Sequence, residues 1–173
     1  MRLRQLSRRV VLASMLFAGL TAVTMGQQSQ RPDPATALAS TLAYIDKQIL
    51  DMAEDFPAEK YSFRATPEVR SFAEVIVHAM SGTVYAAKST RGENVKWTEL
   101  DPKTYPTKAA IVTALKGAIT DVDAAIKATP AARFSSSPEP LLAVIQHTSE
   151  HYGQLVVYYR LNGLVPPASR PKK

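Results

Sequence analysis

Apolar residues recur at intervals of three and four in four separate stretches of the chain, and no run alternates convincingly as a strand would. In the first stretch Leu38, Leu42, Ile45, Ile49, Met52 and Phe56 step by 4, 3, 4, 3 and 4, which lays one apolar stripe along a helix. Asp33 is a candidate cap ahead of it, and Phe56-Pro57 marks its end. A second helix is predicted from 67 to about 90, opened by Thr66-Pro67-Glu68 and carrying Phe72, Val75, Ile76, Ala79 and Ala86. Gly82 inside it weakens the helix by about 1 kcal/mol relative to alanine, yet permits a neighbour to approach closely. A third is predicted over 108–128, capped by Thr107, with Ile111, Leu115, Ala118, Ile119, Val122 and Ile126 on one face and Asp121, Asp123 and Lys127 turned to water.

The fourth stretch carries its own start and stop. Ser137 suits the N-cap, Pro138 the first helical position, and Glu139 the positive end of the helix dipole. Asn162-Gly163 can close the helix in the left-handed conformation, and Pro166-Pro167 forbid its continuation. Leu141, Leu142, Ile145, Leu155, Val156 and Tyr159 supply its apolar positions. The stretches 57–64, 91–106 and 129–136 read as loops, the second holding the single tryptophan, Trp97. Four amphipathic helices imply an all-α four-helix bundle over residues 35–167. The length of the loop between the second and third helices allows a crossover instead of simple up-and-down order.

The ends of the chain change how its charge is read. Residues 1–26 resemble an export signal: Arg2, Arg4, Arg8 and Arg9, an apolar run from Val10 to Val23, then Thr24-Met25-Gly26. The run is shorter than the roughly 20 residues a bilayer span needs, so no stable span is expected once the signal is removed. Ser7-Arg8-Arg9-Val10-Val11-Leu12 fits a twin-arginine signal as well as an ordinary secretory one. Either predicts a periplasmic or secreted protein, with 27–34 as a polar linker. The formal charge of +6 falls to 17 basic against 15 acidic residues without that segment, so the sequence pI near 9.6 is no argument for nucleic acid as a partner. Arg170, Lys172 and Lys173 read as a solvated basic tail over 168–173. With no cysteine there is neither a disulfide nor a thiolate ligand, and any chemistry falls to N and O groups.

The three histidines of the chain are His78, near the middle of the second helix, and His147 and His151, one turn apart on the fourth. Imidazoles at i and i+4 share a helix face, and a third from a neighbouring helix completes an economical metal site. Three such nitrogens leave one coordination position open for Lewis-acid chemistry. Spacing alone fits this reading and that of three separately packed imidazoles about equally. His147-Thr148-Ser149-Glu150-His151 is also the inverted zinc-protease pattern, but no acidic residue follows Glu150 to complete that ligand set.

The string HTSEHYGQLVVYYRLNGLVPP resembles the C-terminal helix of the DinB-like (damage-inducible) superfamily, in which H-x-x-x-H-x-x-Q precedes a tyrosine/arginine segment and N-G-hydrophobic-x-P-P. YSFRATPEVRSFAEVIVHAM is similar to that family's second helix. The resemblance implies a four-helix bundle whose His78, His147 and His151 ligate a divalent metal such as Zn, Ni or Fe. Relatives include enzymes that use low-molecular-weight thiols and others regarded as metal-dependent hydrolases. It therefore implies a small-molecule substrate, with a non-catalytic, stress-related metal-binding bundle as the alternative. A homodimer is compatible with either. Gln154 shares the histidine face and is the candidate catalytic residue, orienting a reacting water, or else a packing residue. Glu74, one turn before His78, is a candidate to hold that ring's second nitrogen or an ordinary solvated acid. Tyr85 and Tyr152 are candidates for the site's lining, Arg160 for a surface role, and Trp97 for a lid.

Overall fold

The structure is a computed structural model that describes residues 33–171, and every regular element among them is helical. The expected export signal, Lys172 and Lys173 lie outside the described residues. Four long helices are present: α1 (Pro34–Asp55), α2 (Phe72–Arg91), α3 (Lys108–Ala128) and α5 (Glu139–Leu161). A short helix, α4 (Ala131–Ser136), occupies what the sequence reads as loop, and single 3-10 turns sit at Ala58–Lys60, Pro102–Thr104 and Pro167–Ser169. No described helix is long and apolar enough to cross a membrane.

The stripe on α1 is buried as its spacing requires, from Leu42, Ile45 and Ile49 to Met52 and Phe56. On α3, Thr107 accepts from the Ala110 amide at 3.1 Å and the helix runs over the predicted residues. The start of α2 lies later than Thr66-Pro67-Glu68 suggests. Those residues make a turn closed by the Val69 amide on the Thr66 carbonyl, and the helix begins after Ser71. Ser71 accepts from the Glu74 amide at 3.3 Å, and the Glu74 carboxylate accepts from the Ser71 amide at 2.7 Å, a reciprocal capping box. Arg64 donates to the same carboxylate at 2.6 Å. Glu74 thus serves the helix terminus and not His78. Ser71→Ala is expected to lower stability by about 1 kcal/mol, read as a fall in the urea midpoint at unchanged slope.

The apolar face expected of α5 is met at Leu141, Leu155 and Tyr159, with Leu142 the exception. Leu142 is 49% exposed, whereas Val144, Leu155, Tyr158 and Tyr159 are buried. Ser137 donates to the Glu139 carboxylate instead of capping the backbone. The far end closes as expected, with Gly163 at φ +71° and the Leu164 amide on the Tyr159 carbonyl. Arg170 is no solvated tail: its guanidinium grips both Asp55 oxygens at 2.8 and 2.5 Å and donates to the Val165 carbonyl, which ties the C-terminal turn to the end of α1.

α1 packs on α3 and α5, and α2 packs on the same two, so α1 and α2 occupy opposite corners of the bundle. The crossings of the diagonal are therefore made by the first and third connections, and the long loop joins neighbours. An aromatic cluster fills one end, where Phe56 stacks on Phe72 at 3.8 Å and meets Tyr159 at 5.0 Å. Leu42, Ala86, Val122, Phe134 and Leu141 form a second apolar cluster. Placing α2 against α5 sets His78 opposite His147 and His151.

Candidate metal centre

All three imidazoles converge. His147 Nε2 lies 3.0 Å from His78 Nε2 and 3.1 Å from His151 Nε2, and one ligand atom from each ring falls within 4.8 Å of the others. Helical geometry explains the α5 pair, since residues four apart stack on one face. The third ring arrives only because α2 packs there.

The outer nitrogens determine what the inner ones present. His78 Nδ1 donates to Glu99 Oε2 at 2.6 Å, and His151 Nδ1 donates to Gln154 Oε1 at 3.0 Å. Each ring thereby carries its proton on Nδ1 and turns an Nε2 lone pair inward. A single proton on His147 Nε2 can satisfy one of those lone pairs and not both. Three nitrogens this close are short of protons, and a divalent ion held by them would supply the missing positive charge. The donor set fits a late first-row metal held by neutral imidazoles.

Burial favours the neutral form of the two rings on α5. Burial first, then the neighbouring His151 and His78, hold His147 down at about 4, and burial also lowers His151. Ligation near neutral pH therefore meets little competition from protons. In the metal-free protein the unfolded chain binds these protons first as pH drops below 6.5, so stability is full above that value and lost as pH falls toward about 4. Asp46 acts in the opposite sense, because burial raises it from 3.8 to about 7 and its contribution is lost as pH rises. An Asp46→Asn background isolates the histidines. There the urea midpoint of metal-free protein is expected to fall between pH 7.5 and pH 5, and a further His147→Phe change to flatten that dependence.

The loop between α2 and α3 supplies contacts that helical spacing does not reveal. Glu99 comes from this loop, and no local pattern in the sequence marks it as the partner of His78. The loop is pinned to α2 by the Leu100 amide, which donates to Ser81 Oγ at 3.0 Å. Trp97 meets the His147 ring edge-on at 4.6 Å and stacks on Tyr85 at 5.2 Å. Gly82 makes room for this: a Cβ there would stand 2.7 Å from the indole and 3.3 Å from His147 Nδ1. Among the described residues His147 Nδ1 is buried without a hydrogen-bond partner, so on that side edge-on contact with Trp97 supports the ring, whose Nε2 faces His78 and His151.

Gln154 links outward as well. Its Nε2 donates to Tyr158 Oη at 3.2 Å, and Tyr158 donates to the Arg70 carbonyl, a chain from His151 to the segment before α2. Tyr152 is half-buried between the two apolar clusters, Arg160 is exposed, and Glu150 is exposed and accepts from Gln146 at 3.1 Å. A family model described as the DinB superfamily matches residues 41–155, a span that contains all three histidines, Glu99 and Gln154. No curated protein matches the chain significantly.

Proposed function

The chain belongs to the DinB superfamily, and from that footing we propose that it is an exported metalloprotein acting as a metal-dependent hydrolase or thiol-dependent transferase on a small molecule. The observation that carries the reading is the convergence of three Nε2 atoms whose partners on the far side of two rings leave their lone pairs facing one point. A divalent ion bound there supplies Lewis acidity, which polarises a carbonyl-like group and makes water or a thiol more acidic. His78 and His151 hold their tautomers through Glu99 and Gln154. Gln154 acts on the site through His151. Trp97 covers one side of His147 and limits access of water to it. Export from the cell places the protein away from the cytosolic thiol pool, which favours hydrolysis over thiol transfer.

The half-burial of all three rings and the indole against His147 favour a second reading, a non-catalytic metal-binding bundle. Cobalt(II) separates the two. Loading the protein with cobalt should produce a visible spectrum and quench the fluorescence of Trp97, the single tryptophan in the chain. A spectrum that shifts on adding azide or a small thiol supports an open, reactive position; one that ignores both supports the closed reading. Failure to retain cobalt removes both. In the same assay Glu99→Gln is expected to weaken binding about 10- to 100-fold, because a neutral amide orients His78 less firmly and makes it less basic.

A further inference from the structure

On the side of the bundle formed by α1 and α3, away from the histidines on α2 and α5, lies a cleft of about 280 Å³. Leu42, Leu50, Ile119, Val122 and Ile126 make its walls, and Asp46 is part of the same lining. An aspartate is out of place there. It is 2% exposed, and among the described residues its Oδ1 has only Thr83 Oγ1 at 3.4 Å and its Oδ2 has no hydrogen-bond partner. The charges nearest in sequence along the cleft are already taken, Lys47 by Asp51 at 2.5 Å and Asp123 by Lys127 at 2.6 Å. An acid buried in apolar surroundings without a partner is costly, and a cation or strong donor brought to it recovers that cost.

We propose that this cleft is a second ligand site, for a small apolar molecule bearing a primary ammonium group that pairs with Asp46. The walls match the ligand's hydrocarbon body, and the Asp46 carboxyl, which unlike Asp123 has no ion-pair partner among the described residues, supplies the polar contact that gives such a pocket its selectivity. Burial raises Asp46 to about 7, so near neutral pH the carboxyl is poised to ionise when a cation arrives and to release its proton in doing so. The site is separate from the metal centre and does not depend on what that centre does.

Benzylammonium, benzyl alcohol and toluene share one skeleton and differ in the group offered to Asp46. Titrated into the metal-loaded full chain, benzylammonium should bind saturably, with amide NMR shifts concentrated in residues 39–50 and 119–126. It should bind about tenfold more tightly than benzyl alcohol, as a charge-assisted hydrogen bond implies. Asp46→Asn should erase that advantage while leaving the circular dichroism spectrum helical. Ala43→Phe, which fills the cleft from its exposed rim, should abolish binding of all three. Equal affinities for the three probes, affinity for benzylammonium unchanged by Asp46→Asn, or no saturable binding would each overturn the proposal. So would shifts at this face that follow protein concentration alone, which would mark it as an interface between copies of the chain.

Discussion

A His151→Ala protein is expected to fold, to keep its helical spectrum, and to retain no divalent ion after desalting, where the unaltered protein retains one. The ring is half-buried and lies beside the other histidines and Gln154, not inside either apolar cluster, so its loss leaves a small polar gap and a modest effect on the fold. The effect on the ion is large. Two nitrogens remain, one of them on His147, whose Nδ1 has no hydrogen bond among the described residues to fix its orientation. Gln154 loses the donor to its Oε1 and keeps only Tyr158. Elemental analysis of the two proteins side by side measures the difference, and retention of the ion by the variant would sink the three-histidine assignment. Thermal melting supplies a second readout. An ion at one hundred times its dissociation constant stabilises the folded state by about 2.7 kcal/mol. A chelator should therefore lower the melting temperature of the unaltered protein and leave His151→Ala where it was.

Phe72→Ala is expected to cost about 3–5 kcal/mol, a large part of the roughly 5–15 kcal/mol that holds a domain of this kind together. Phe72 is wholly buried, stacked on Phe56 at 3.8 Å with an interplanar angle of 12°, and edge-on to Tyr61 at 5.1 Å. Its neighbours cannot close over the gap. Tyr159 is tied to the Met52 carbonyl at 2.9 Å, and Tyr61 donates to the Ala53 carbonyl, so both hydroxyls anchor their rings to the end of α1. The residue also opens α2, so the change loosens the packing of the helix that delivers His78. Urea denaturation of metal-free protein measures the loss, and Phe72→Leu should recover part of it. A cost below about 1 kcal/mol would mean that the cluster repacks freely, contrary to these anchors.

These two residues were differently legible in the sequence. Phe72 stood on a predicted apolar face, but its place as the first residue of α2 was hidden by Thr66-Pro67-Glu68, a plausible start that lost to the Ser71–Glu74 capping box. His151 could be paired with His147 from spacing alone, because the pitch of a helix makes residues four apart neighbours. His78, the one other histidine in the sequence, was the candidate third ligand, the resemblance to the DinB-like family implied that role, and its Nε2 lies 3.0 Å from that of His147. Glu99 left no trace, since a loop residue follows no period. Arg170 read as tail because its partner, Asp55, lies 115 positions earlier.

Sequence by itself determined what depends on one or two turns of helix: four amphipathic segments, the Thr107 cap, the glycine closure at Gly163, and the shared face of His147 and His151. Those outcomes rest on backbone hydrogen bonds and steric preferences that act within a few residues. Tertiary structure alone decided that α1 and α2 take opposite corners and that Glu99 and Trp97 reach the histidines. It also decided that Asp46 ends in an apolar wall. Each of these is settled by which surfaces exclude water together once the loops close, and that competition among distant segments has no local signature.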